Sequence, residues 1–465
     1  MQRTAVLNIV GLTTGLLGPN TPHINAFLKG GGDITAINPV FPAVTCSAQS
    51  TYLTGLRPSE HGIVGNGWYN RELAEVQFWK QSNHLVHGRK VWEELRASVP
   101  NFTCAKLFWW YNMYSSADYS ITPRPMYPAD GRKIFDIYTW PFSIRTEIKK
   151  DLGEFPFPTF WGPAAGVKTP QGGSDAASRW IAESAKWIEN RHAPSLSLVY
   201  LPHLDYNLQR FGPNDPRIAE DVRAIDAIAG DLIAFFSKRG VSVIILSEYG
   251  ITEVSRPVDI NRFFRANHWL TVKDELGLEV LDCGASKAFA VADHQIAHIY
   301  INDRSLEKEV RKRLADFIGG NNVLDKDGKR AAGIDHPRAG DLVAIAPEGM
   351  WFTYYYWAND RVAPDFARCV DIHRKPGYDP AELFIDSKLK APKLKIGWRL
   401  LKKKLGFRML MDVIPLDASL VRGSHGTVLE NAGPRPVFIA QRGTVPAGAM
   451  DATDVYHAIK RAVRG

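Results

Sequence analysis

Residues 38–69 bring together the side chains from which chemistry is most easily built. The stretch Asn38-Pro-Val-Phe41-Pro42-Ala-Val-Thr45-Cys46-Ser47 leads into Thr51-Tyr-Leu-Thr-Gly55-Leu-Arg57-Pro58-Ser-Glu60-His61-Gly62, with Asn66 beyond it. A threonine hydroxyl is a poor nucleophile at neutral pH and needs a metal or a base to ionise it. At a helix N-terminus it would sit above about half a positive charge, a place that favours phosphate. Asn66 can donate to a non-bridging oxygen of that anion. An isolated threonine of this kind reads instead as a helix cap. Acids and histidines also cluster as Asp293-His294 with His298, as Asp335-His336, and as Asp371-Ile372-His373 ahead of Lys375-Pro-Gly-Tyr378-Asp379. Each fits a metal site, and each fits a salt-bridged turn equally well.

With its flanks, the Thr45 segment resembles the nucleophile segment of the type I phosphodiesterase/nucleotide pyrophosphatase branch of the alkaline phosphatase superfamily. There a Phe-Pro precedes a threonine that opens a helix. A Thr-Gly-Leu-x-Pro-x-x-His-Gly follows, and an asparagine further on holds a phosphate oxygen. Thr21-Pro-His-Ile-Asn25 continues the likeness. The resemblance implies an alkaline-phosphatase-like α/β core, catalytic roles for Thr45 and Asn66, and two divalent metals, zinc above all.

The metal signatures of that family are kept only in part. Its first strand ends in an aspartate, where this chain has Asn8-Ile-Val10-Gly11-Leu12-Thr13 and places Val10. Its Pro-Asp-x-x-Gly-His becomes His203-Leu-Asp205-Tyr-Asn-Leu-Gln209, ahead of Gly212-Pro213. Asp205 keeps the aspartate, while Gln209 offers a much weaker amide oxygen. His203 is open as a substitute ligand or as a histidine bonded to backbone. Ser-Asp-His-Gly-Met becomes Ser247-Glu248-Tyr249-Gly250-Ile251. Glu248 keeps the charge, and the Tyr249 phenol suits a hydrogen bond to an anion better than a metal. The last signature stands as Gly423-Ser-His425-Gly426, followed by Pro434-Arg435-Pro436-Val437. The resemblance thus implies one ion on Asp205 and His425, helped by Gln209 or His203. A second would keep only Thr45 and Glu248, too few ligands for a stable site.

The expected function is hydrolysis of a small phosphoester, phosphodiester or nucleotide pyrophosphate by Thr45 at a remodelled divalent metal site. Asn66 and Tyr249 would bind the substrate. The alternative is a degenerate relative that binds a phosphorylated ligand without turnover.

Composition sets outer bounds. The 465 residues are 45% hydrophobic and 23% charged, as in an ordinary globular protein. The net charge of +8 suits anionic ligands, and a solvated basic face equally well. Ala5–Val10 reads as a buried strand rather than a signal peptide, and Cys46, Cys104, Cys283 and Cys369 lack metal spacing, so a cytoplasmic protein with reduced thiols is expected. Residues 388–408 alternate basic and apolar side chains. They suit an anionic membrane surface, nucleic acid or a solvated insertion, but carry no pattern for specific nucleic-acid recognition.

The elements that must position these residues follow an α/β pattern. Ala5–Val10, Cys104–Phe108, Ser197–Leu201 and Val243–Ser247 read as strands of a mostly parallel sheet covered by helices on both faces. Helices are expected from Ser174-Asp175 to Arg191 and from Asp215 to Lys238, the latter ended by Gly240. Val10, Leu201 and Ser247 should share the edge where such sheets bind ligands. The expected units are a core over 1–265, an inserted α+β subdomain over 266–345, an aromatic and basic insertion over 346–420, and core completion over 421–465.

Overall fold

The computed structural model describes residues 1–465 except 171, 428–434 and 447, so Pro434 lies outside the described residues. Its centre is a nine-stranded sheet. In spatial order the strands are Met450–Asp451, Gly32–Asn38, Val437–Gln441, Ser242–Leu246, Thr4–Ile9, Leu196–Leu201, Cys104–Leu107, Tyr119–Pro123 and Ile137–Trp140. Thr4–Ile9 pairs in parallel with both Leu196–Leu201 and Ser242–Leu246, and every residue of Thr4–Ile9 is buried. Such near-continuous apolar runs are what a strand needs when both sheet faces are covered. Val437–Gln441 and Ile137–Trp140 run antiparallel to their neighbours.

Helices Ala176–His192 and Ile218–Ser237 pack on each other and on the sheet, and Gly240, at φ +67°, follows the second. The Thr45 helix, Thr45–Thr54, packs against the closing helix Asp454–Arg464. Register brings the carboxyl ends of three parallel strands together: Ile9 lies level with Leu201 and Asn8 with Leu246, and the backbone N–H of Val10 donates to Leu201 O. Glu248, Asp205 and Thr45 all lie just beyond these ends.

A second core is centred on residues 288–357 and also takes in Tyr69, Phe78, Ile260, Phe264, Phe366 and Tyr378. Ala288–Asp293 pairs antiparallel with Ile296–Ile301, which pairs with Leu342–Ile345 and, through it, with Val323–Leu324. The aromatic run Trp351–Trp357 is buried against this small sheet. Beyond it the chain carries Tyr378 and then the helix Pro392–Lys404. No helix among the described residues is long and apolar enough to cross a membrane.

Candidate active site

Thr45 is the first residue of its helix, after an extended Val44, and is only 4% exposed. Its Oγ1 lies 3.1 Å from the Tyr249 hydroxyl. That phenol donates to Asp205 Oδ1 at 3.3 Å, and the Gln209 amide donates to Asp205 Oδ2 at 2.8 Å. The Tyr378 hydroxyl closes the chain by donating to Gln209 Oε1 at 2.8 Å. Asp205 and Gln209 can act on one group because both lie on the helix His203–Phe211, four residues apart and therefore on one face.

Aromatic rings stack across this chain. Tyr249 lies flat on the His425 imidazole, with centroids 3.6 Å apart and planes within 8°. His294 sits between His425 and Tyr378, at 3.8 and 3.5 Å. His425 Nδ1 donates to Ala43 O at 2.8 Å, which leaves Nε2 unprotonated and 4.0 Å from Asp205 Oδ1. Burial holds both imidazoles well below their usual pKa, so they are neutral.

Glu248 occupies a second layer. Its Oε1 accepts from Asn8 Nδ2 at 2.5 Å and from Gln49 Nε2 at 2.6 Å. Asn8 and Val10 share a strand face, so the strand keeps a polar residue two positions before the missing aspartate. Gln49 lies one turn after Thr45 and is oriented by the Trp110 backbone N–H, 2.7 Å from its Oε1. The Thr45 hydroxyl also stabilises the ionised Glu248, although Oε2 has no well-formed hydrogen bond.

Asn66 is fixed at both ends. Its Oδ1 accepts from Cys46 N at 3.0 Å, and its Nδ2 donates to Asp293 Oδ1 at 3.1 Å. Asp293 Oδ2 accepts from Asn66 N at 2.7 Å. Burial dominates the acidity of all three site carboxyls. It pushes Glu248 up to about 8, Asp205 to about 7 and Asp293 to about 6, against hydrogen bonds that favour the ionised forms. Near neutral pH the site therefore holds much less negative charge than three carboxylates would suggest.

The residues do not fit a pair of divalent ions. Val10 is wholly buried hydrocarbon, and the lone pairs of Glu248 Oε1 and Gln209 Oε1 are engaged by N–H and O–H donors. Among the described residues no group of three or more His, Cys, Asp or Glu side chains is placed to hold a metal. His203 lies apart from the other expected ligands. Two residues from Asp205 on the helix, it points elsewhere, and its Nε2 lies 2.9 Å from Asp221 Oδ1 without hydrogen-bond alignment.

Of the open acid–histidine clusters, Asp293-His294 joins the site. His298 instead contacts Val64 O at 3.0 Å, Asp335 pairs with Lys329 and Arg330, and His336 Nδ1 accepts from Arg338 N. His373 contacts Phe78 O, and the Asp371 N–H donates to Glu382. Sequence reasoning missed Asn8, Gln49 and Tyr378. The legible signals were a polar residue inside an apolar strand and a tyrosine beside Lys375 and Asp379.

Comparison with known proteins agrees with this fold. The model of the family Type I phosphodiesterase / nucleotide pyrophosphatase matches residues 4–379. The chain is 24% identical over 246 residues to an uncharacterized pyrophosphatase/phosphodiesterase of Schizosaccharomyces pombe, covering 50% of this chain and 41% of that protein. It is 23% identical over 259 residues to the human ectonucleotide pyrophosphatase/phosphodiesterase family member 5, covering 54% and 46%. It thus aligns with less than half the length of these curated relatives. In fold it is similar to an inactive variant of the murine family member 5 in complex with AMP, with TM-score 0.59, 16% identity and coverage of 100% and 95%. It is likewise similar to the phosphonoacetate hydrolase of Sinorhizobium meliloti in complex with phosphonoformate, with TM-score 0.62, 13% identity and coverage of 99% and 96%. The alkaline-phosphatase-like core, the helix-opening Thr45 and the match over 4–379 lead to one conclusion: this chain belongs to the type I phosphodiesterase/nucleotide pyrophosphatase family.

Proposed function

We propose that this protein binds a small phosphorylated or nucleotide-like ligand at the Thr45 helix and does not turn it over by metal-dependent hydrolysis. The observation that carries this reading is the hydrogen-bond chain Thr45–Tyr249–Asp205–Gln209–Tyr378, which takes up the positions expected to hold metal. AMP bound to the murine relative and phosphonoformate bound to the phosphonoacetate hydrolase support the ligand class. The helix N-terminus favours an anion, and the Tyr249 phenol would donate to it by turning its one O–H away from Asp205. Thr45 here is a hydrogen-bonding group rather than a nucleophile.

A second reading is favoured by one observation, the unpaired Glu248 Oε2 beside Thr45. Once ionised, Glu248 is placed to take the Thr45 proton as the hydroxyl attacks phosphorus and to return it to the departing alcohol. Water then displaces Thr45 from the phosphoryl group, and the regained hydroxyl completes hydrolysis without a resident metal. That the murine structure's inactive form is a threonine-to-alanine variant supports keeping this reading.

Two measurements separate the readings: calorimetric titration with AMP, and nitrophenolate release from an aryl phosphodiester with and without zinc. Both are made on wild type and Thr45→Ala. The proposal expects AMP binding to wild type, and release no faster than that of the variant. Thr45-dependent release without metal supports the second reading. Release that also requires zinc, or no AMP binding at all, overturns the proposal.

A further inference from the structure

The helix Pro392–Lys404 is amphipathic in the reverse of the usual sense. A surface helix normally turns its apolar stripe to the core and its charges to water. Here the inward contacts are largely ionic: Lys395 Nζ and Arg399 Nη2 reach Asp412 at 2.8 and 3.1 Å, and Ile396 alone adds an apolar anchor beside Val413 and Met411. The opposite face carries Leu394, Trp398, Leu401 and Leu405. They are spaced at i, i+4, i+7 and i+11 and so form one stripe, exposed by 77, 57, 45 and 64%. The helical turn continues to Leu405, whose N–H donates to Leu401 O.

Charge surrounds this stripe on one sign only. Residues 388–408 contain nine Lys or Arg and no Asp or Glu, one more positive charge than the net +8 of the whole chain. Lys402 leans over the Trp398 ring, its Nζ 5.4 Å from the centroid, as an amphipathic cation does beside an interfacial aromatic. The adjoining loop extends the patch. Arg408 donates to Asp130 O, and Met126 and Tyr127 are exposed on the same loop.

We propose that this helix docks on an anionic lipid bilayer, lying in the membrane surface with Leu394, Trp398, Leu401 and Leu405 among the acyl chains and the flanking lysines at the headgroups. An exposed apolar stripe of this size needs a cover. A second copy of the chain would bring an equally cationic patch against it, and nucleic acid would satisfy the lysines but leave the leucines in water. An anionic bilayer satisfies both.

The test is co-sedimentation of the full chain with phosphatidylserine-containing and with pure phosphatidylcholine vesicles, alongside Trp398→Gln/Leu401→Gln and Lys402→Gln/Lys404→Gln variants. All four side chains lie outside the Thr45 cluster, so far-ultraviolet circular dichroism and the unfolding midpoint should be retained. Wild type is expected to partition onto the anionic vesicles about tenfold more strongly than onto neutral ones, with loss at high salt. Each double variant should lose most of that binding. Failure to bind anionic vesicles overturns the proposal, as does binding that survives loss of Trp398 and Leu401. A wild-type dimer that the apolar variant converts to monomer would assign the stripe to a second copy instead. Binding to single-stranded DNA in the absence of vesicle binding would also overturn it.

Discussion

At the scale of single residues, the Tyr249 phenol organises the site. The phenol satisfies Thr45 and Asp205 together and covers the His425 ring. Tyr249→Phe keeps the stack but removes both hydrogen bonds and leaves a buried carboxyl oxygen without its donor. It should lower stability by about 1–3 kcal/mol in urea unfolding and weaken AMP binding; an unchanged midpoint would mean that the phenol holds nothing in place. Glu248 supplies a pH prediction. Its folded pKa of about 8 lies above its usual 4.5, so between those values the folded protein binds more protons than the unfolded chain. Stability from this group is therefore fully present at low pH and falls as pH rises through that window. Glu248→Gln resembles the protonated acid and still accepts from Asn8 and Gln49. The loss of stability from about pH 5 to about pH 8 should be shallower in this variant than in wild type. An identical slope would show that Glu248 is ionised in the folded state. Thr45, Asn66, Asp205 and His425 were legible because each lies in a motif with fixed local spacing. Gln49 carried no such signal, Asn8 and Tyr378 only a local one, and His294 was left open, because only the sheet and the insertion bring these four together.

At the scale of elements, the site depends on how Tyr378 is held. Lys375 is buried and bonds Asp379 and Glu382, each at 2.7 Å, while Trp161 donates to the other Glu382 oxygen. The two carboxyls hold the Lys375 ammonium charged against the pull of burial. The triad fixes the turn from which Tyr378 reaches Gln209 and stacks on His294. Lys375→Met strands two buried acids and should destabilise the protein by about 3–5 kcal/mol, whereas Lys375→Met with Asp379→Asn and Glu382→Gln should recover much of that loss. Equal destabilisation in the single and triple variants would contradict this account. The four central strands could be read in advance, within a residue or so of their ends, because buried parallel strands advertise themselves as apolar runs. The helix Pro392–Lys404 escaped notice. Lysines alternate with apolar residues along it, and the stripe appears only when the sequence is folded at 3.6 residues per turn.

At the scale of the molecule, the chain keeps the family fold, and the proposed reading places Val10, Gln209 and Tyr249 where the family's ligands would stand. If the sheet still presents the old geometry, Val10→Asp, Gln209→His and Tyr249→His together should yield a protein that is less stable without metal. Zinc should raise its unfolding midpoint, because an ion that binds only the folded state stabilises it by mass action. A folded triple variant indifferent to zinc would contradict the correspondence drawn between these positions and the family's ligands. The central claim is that the wild-type Thr45 site is closed by hydrogen bonds among its own side chains rather than by metal. Elemental analysis of the protein purified without added metal, then dialysed against zinc, tests that claim most directly. The account predicts well under one equivalent of bound metal before and after dialysis. Two equivalents retained through dialysis, and lost on mutation of Asp205 and His425, would contradict it.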